Sequence, residues 1–297
     1  MRDQDPIRSI PDVCEVTRAG PAGRPASYLI ELPHGATRAA HFEALRGALI
    51  GDFPEDLEAF YFVNTDVGTP ECAIEVARGL ARTGASTLIV RALLPRTFID
   101  CNRVIEGGLR GQEMTPPVPE YVRHRDDIQT LVRLYGEYQE VARRAYEEVC
   151  RNGGLALNLH SFAPRSVKIG RIDEGIVQKL REAYAPGRLE SWERRPQIDI
   201  ISEDADGRRL ASSDLVADLK RAYAAIGIDA VENETYRLHA ETMTHVHSSA
   251  HPGKVLCMEI NRELLADPFD PFVEMRIAPQ KAARMAAPLV AALRGNR

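Results

Sequence analysis

Four short apolar runs in this chain each lead into a polar side chain able to do chemistry. Residues 27–32 (SYLIEL) lead into Pro33-His34-Gly35, and 59–64 (AFYFVN) into Thr65-Asp66-Val67-Gly68. Residues 86–93 (STLIVRAL) lead into Pro95-Arg96 and then Asp100-Cys101-Asn102-Arg103, and 155–159 (LALNL) into His160-Ser161. If these runs are parallel strands, the polar residues gather at one edge of a sheet, where open α/β folds bind ligands. Two histidines and a carboxylate (His34, His160, Asp66) are a usual protein set for catalytic zinc with one position left open. Other first-row divalent ions suit the same donors. Such a metal acidifies water and polarises a carbonyl, but a base must still take the proton. Glu259 is the candidate base. It interrupts the apolar run 255–260 (VLCMEI), where burial would raise its pKa into a range useful for proton transfer. Arg96, Arg103 and Asn102 offer donors that match a substrate carboxylate.

Each residue also has a plainer reading. His34 follows a proline and suits a turn. Asp66 stands where a helix cap would, just before Thr69-Pro70-Glu71. Glu259 could pair with Arg262, and Arg96 and Arg103 with Asp100. His245, His247 and His251 (THVHSSAHPG) read as a loop near the site. There is no GxGxxG, P-loop or GxSxG.

The elements needed to position these residues are legible in outline. The four runs, with 255–260 and 197–202, read as strands. Thr69-Pro70-Glu71 opens a helix with Ala73, Val76, Ala77 and Leu80 inward and Gly84 just beyond. Leu131, Tyr135, Tyr138, Ala142, Ala145 and Val149 form a long helical stripe. A third helix begins at Ser213 and ends at Gly227. Alternating strands and helices predict an α/β fold, a mainly parallel mixed sheet with helices on both faces. Residues 1–26, rich in Pro, Gly and Arg, read as a loose arm, and 27–297 as a single domain.

Composition narrows the function further. The chain has 297 residues, 44% hydrophobic and 27% charged, with a net charge of −5. That suits a folded α/β protein and gives no overall attraction for nucleic acid or anionic membrane. No apolar run reaches bilayer length, and the acid- and proline-bearing N-terminus does not resemble a signal peptide. A cytoplasmic protein is expected. Five scattered cysteines with no CxxC exclude a disulfide framework and a cysteine-based zinc site.

Taken together, Pro33-His34-Gly35, Asp66-Val67-Gly68, the stretch from Arg96 to Arg103, Leu159-His160-Ser161-Phe162 and Cys257-Met258-Glu259-Ile260-Asn261-Arg262 resemble the N-formylglutamate amidohydrolase family, which is related to the zinc carboxypeptidases. The R-x-x-x-D-x-N-R and E-I-N-R stretches are the most specific. The resemblance implies a zinc-exopeptidase-like fold and a zinc-dependent hydrolase of C–N amide bonds. Its reference reaction splits N-formyl-L-glutamate into formate and glutamate in histidine degradation. It also implies His34, Asp66 and His160 as ligands, with Glu71 a rival to Asp66. Glu259 is then the general base and Asn102-Arg103 the clamp on a small carboxylate-bearing substrate; in the mechanism read from these residues, Arg96 joins the metal in stabilising the oxyanion. Gly35-Ala36-Thr37 is shorter than the family pattern, and Tyr135-Gly136-Glu137-Tyr138 lacks its His and Pro. The readings that stay open beside it are a carboxypeptidase-like peptidase and a carboxylate-binding protein without turnover. The oligomeric state is not legible.

Overall fold

The computed structural model describes residues 6–106, 108–109 and 114–296. In chain order the elements are β1 (Cys14–Ala19), β2 (Tyr28–Leu32), α1 (Ala39–Ala48), α2 (Leu57–Asn64), α3 (Thr69–Ala81), β3 (Thr87–Ala92), α4 (Arg125–Cys150) and β4 (Leu155–Phe162). They continue as α5 (Ile176–Ala183), β5 (Ile198–Ile201), α6 (Ser213–Ala224), β6 (Ala230–Glu232), α7 (Met243–Ala250), β7 (Val255–Asn261) and α8 (Pro279–Gly295). The strands form one mixed sheet in the order β1-β3-β2-β4-β7-β5-β6. The central four, β3-β2-β4-β7, are mutually parallel, and β1 and β5 join them antiparallel. This is the α/β architecture that the alternation of elements implies.

Strand periodicity sorts the side chains between two faces. Ile30, Leu157 and Met258 point toward a core shared with α3, α6 and α8. The opposite face begins with Leu29, Ala156 and Val255, which pack beneath α4, and then turns polar toward the strand ends. Glu31, Asn158, His160, Cys257 and Glu259 follow there by the same alternation. The five cysteines are buried and free, and among the described residues no helix is long and apolar enough to cross a membrane.

Three local expectations are corrected. Residues 59–64 lie in helix α2, not in a strand. Aromatic and β-branched residues made the run look extended, but a short helix buried on nearly all sides has the same continuous apolar signature. Residues 1–26 are not all a loose arm, because Cys14–Ala19 pairs with β3 along its whole length. Finally, the histidine-rich segment lies mostly in a helix, α7, capped by the Thr242 side chain, with His251 at its C-cap.

Candidate metal centre and active site

Three elements bring the candidate ligands together. β2 runs through a tight turn into His34, β4 carries His160 near its C-terminal end, and the turn between α2 and α3 supplies Asp66. All three side chains are buried. The Asp66 Oδ2 lies 3.2 Å from His34 Nδ1 and 2.8 Å from His160 Nδ1, and the two Nδ1 atoms are 3.2 Å apart. Asp66 does not cap α3, whose N-cap is Gly68 with no side-chain bond. Gly68 has φ +80°, and a Cβ there would lie 2.6 Å from that of Leu265. The turn that presents Asp66 therefore depends on glycine.

The outer nitrogens settle the tautomers. His34 Nε2 lies 2.7 Å from Asp100 Oδ1, and an ionised carboxylate only accepts, so Nε2 carries the hydrogen. Asn158 donates through Nδ2 to Glu31 at 2.7 Å, which turns its Oδ1 toward His160 Nε2 at 2.6 Å. That nitrogen too must donate. Both Nδ1 lone pairs then face each other and Asp66, a convergence of three acceptors that only a proton or a cation relieves. Buried imidazoles oriented through their far nitrogens by carboxylate and amide partners are the usual support of a metal ligand set. Of the described His, Cys, Asp and Glu side chains, His34, Asp66 and His160 are the group placed to hold an ion.

The electrostatics follow from this crowding. Burial and Arg96 both pull the His34 pKa down, but Asp100 and Asp66 carry it above its ordinary value. Burial pushes Asp66 up, yet His34 and His160 hold it below the usual carboxylate range. Asp100 is likewise held well below that range, because Arg96 and Arg103 outweigh its burial.

Glu259 lies opposite His160 in the β4–β7 register. Its Oε2 is shut away from solvent with no hydrogen-bond partner among the described residues. Burial, reinforced by Asp66, raises its pKa to about 7. Arg262, its plausible ion-pair partner, instead donates to the carbonyls of Val63 and Thr65. Glu71 is not part of the cluster. It pairs with Arg38 at 2.5 Å, because one helical turn beyond Asp66 carries it away from the two histidines.

Arg96 donates to Asp100 at 2.9 Å and Arg103 lies 3.7 Å from it, yet both line a cavity of about 130 Å³ beside His34, His160 and Glu259. The Asn102 Oδ1 accepts from the backbone N–H of Thr244 at 2.9 Å, and Asn102 lines the same cavity.

Several contributors escape a reading of the sequence. Asp100 orients His34, Asn158 and Glu31 orient His160, and Thr244 fixes Asn102. The polar residues in otherwise apolar strands, Glu31 in YLIEL and Asn158 in LALNL, were the available signal. Tyr138 and Tyr146 donate to Glu31 at 2.9 and 2.7 Å, which makes its burial possible. The three histidines of the 245–251 segment stay outside the ligand cluster. The His247 ring stacks on Tyr146, with centroids 4.0 Å apart.

The sequence model of the N-formylglutamate amidohydrolase family matches residues 26–266. Among solved structures, an N-formylglutamate amidohydrolase from Ralstonia eutropha JMP134 is 17% identical, with 95% of this chain and 96% of that chain covered at a TM-score of 0.49. A gene product from Agrobacterium tumefaciens is 15% identical over 96% of this chain and 94% of its own, with a TM-score of 0.51, a likeness of fold. A comparison with curated proteins returned no significant match.

Proposed function

The chain belongs to the N-formylglutamate amidohydrolase family, and from that premise we propose that it is a zinc-dependent hydrolase of the C–N amide bond in a carboxylate-bearing N-formyl or N-acyl amino acid. The family's reference reaction is N-formyl-L-glutamate plus water giving formate and L-glutamate. The observation that carries this reading is the convergence of the His34, His160 and Asp66 donor atoms beside Glu259, whose Oε2 has no partner among the described residues. A protein that only bound its ligand would have no use for such a base.

His34, Asp66 and His160 would hold zinc, which when bound would supply Lewis acidity toward the scissile carbonyl and the attacking water. Glu259, buried beside the ligands with an Oε2 that has no partner among the described residues, takes the proton from the attacking water and hands it to the leaving nitrogen. Arg96, oriented by Asp100, stabilises the negative charge that develops on the carbonyl oxygen. The Asn102 amide and the Arg103 guanidinium hold the substrate carboxylate and set the amide against Glu259. The substrate is a small molecule reached from solvent, and the catalytic unit is read as residues 27–297, in a cytoplasmic protein.

Elemental analysis of the purified protein and of His160→Ala tests the metal, and an assay for acid release from N-formyl-L-glutamate tests the reaction. The expected result is about one zinc per chain, lost in the variant, with formate released by the wild type. Metal retained by His160→Ala would remove the ligand assignment. Release of the C-terminal residue from dipeptides in preference to formate would make the enzyme a peptidase.

A further inference from the structure

The stripe of α4 that reads as packing has polar tips, and they end on the supports of the site. Tyr138 and Tyr146 donate to Glu31, which orients Asn158 and through it His160. Tyr135 and Gln139 reach a different support. They stand four residues apart and so share one face of the helix. The Tyr135 hydroxyl donates to the Arg103 carbonyl at 2.7 Å, and Gln139 Nε2 donates to the Cys101 carbonyl at 2.7 Å.

Those two carbonyls belong to the segment that carries the clamp. Residues 100–103 lie outside any helix or strand, so no ladder satisfies their backbone. Every carbonyl in the segment nonetheless has a donor. That of Asp100 accepts from the backbone N–H of Arg103 at 3.2 Å, and that of Asn102 from Arg103 Nη1 at 3.1 Å. The remaining two are the ones α4 supplies. Cys101 and Arg103 are buried, where a carbonyl left without a donor is costly. The Asn102 side chain is fixed separately, its Oδ1 accepting from the backbone N–H and the hydroxyl of Thr244 at 2.9 and 2.8 Å. The clamp is thus held by its backbone from α4 and by its side chain from α7.

Packing does not account for Gln139. Its Oε1 is shut away from solvent with no hydrogen-bond partner among the described residues. An apolar side chain of the same length would escape that desolvation, so the work of the amide is the bond from Nε2 to Cys101. Asp100 needs no such help. Its Oδ1 accepts from the backbone N–H of Asn102 and its Oδ2 from Arg96, both at 2.9 Å. The α4 contacts therefore bear on the clamp rather than on His34.

We propose that Tyr135 and Gln139 are positioning residues. Acting through the Cys101 and Arg103 carbonyls, they set the Asn102-Arg103 clamp at a fixed distance from the metal ligands and so govern capture of the substrate α-carboxylate. The role of the clamp rests on the hydrolase reading above.

The test compares N-formyl-L-glutamate with its α-carboxamide in zinc-loaded wild type, Gln139→Met and Tyr135→Phe. Met keeps the length of Gln139 without either end of the amide, and Phe removes only the Tyr135 hydroxyl. Each variant is expected to raise KM for the free acid by about 2- to 10-fold, the worth of one hydrogen bond, with kcat and zinc content unchanged. Turnover of the carboxamide should hardly move, so the preference for the acid shrinks. Equal losses on the two substrates would show a purely structural role and overturn the proposal. Loss of zinc would show that the contacts act on His34 through Asp100 and would overturn it too, as would an unchanged KM in both variants or a wild type indifferent to the α-carboxylate. Calorimetric titration with L-glutamate and with its α-carboxamide reads the clamp without turnover. Weaker binding of L-glutamate alone in the variants supports the positioning role even if no amide is cleaved, an outcome that removes only the hydrolase reading. Affinities equal to those of the wild type overturn it.

Discussion

Glu259 has a raised pKa because its carboxylate is desolvated and faces Asp66, and two consequences can be measured. Glu259→Gln keeps the shape but cannot accept a proton, so metal content should be unchanged while kcat falls by about 10²- to 10⁴-fold. Normal turnover in that variant would remove the assigned base. The same residue links stability to pH. Its folded pKa, about 7, lies above the ordinary 4.5, so the folded state binds the proton more tightly than the unfolded chain. The resulting stability is present below pH 4.5 and is lost as pH rises through 7. In metal-free protein, Glu259→Gln should therefore be more stable than wild type at pH 8, by up to about 3 kcal/mol, and no more stable at pH 4.5. Denaturant titrations at the two pH values decide this. Asn158 makes a third point. It holds the proton on His160 Nε2 with its amide oriented by Glu31. Asn158→Leu should weaken zinc binding by about 10- to 100-fold in chelator competition, and unchanged affinity would show that the tautomer needs no such support.

At the scale of elements, the site depends on how β2, β4, β7 and the α2–α3 turn end. The parallel β4–β7 register sets His160 beside Glu259, and alternation along each strand puts Asn158 and Cys257 on that same face. The turn is the fragile part, since Gly68 combines φ +80° with close approach to Leu265. Gly68→Ala should cost about 1–3 kcal/mol and displace Asp66. A lower denaturation midpoint together with weaker metal binding would show both effects. A fully stable variant with normal metal affinity would mean that the turn tolerates a side chain.

At the scale of the molecule, β1 is the part whose role is least visible from its composition. It pairs antiparallel with β3 and covers the unpaired edge of the parallel core. Truncation at residue 20 should therefore leave β3 exposed as a template for intermolecular pairing. The truncated protein is expected to melt lower and to elute as larger species in size-exclusion chromatography. A monodisperse product with the wild-type melting temperature would show that the edge needs no cover.

The sequence alone determined that strands would deliver His34, Arg96, His160 and Glu259 toward one edge of an α/β sheet, because strand periodicity and an acid misplaced in VLCMEI are local signals. It also determined that Asp66 would sit just before a helix opened by Thr69-Pro70. Tertiary structure decided what those residues touch. That residues 59–64 coil rather than extend depends on burial from almost every side, which an apolar run cannot announce. The choice of Asp66 over Glu71 rests on where one helical turn places each carboxylate relative to two histidines from distant strands. The service of Asp100, Asn158 and Glu31 behind those histidines arises from contacts between segments far apart in the chain. No local pattern encodes them, because a hydrogen bond of this kind is fixed only once both partners have been placed.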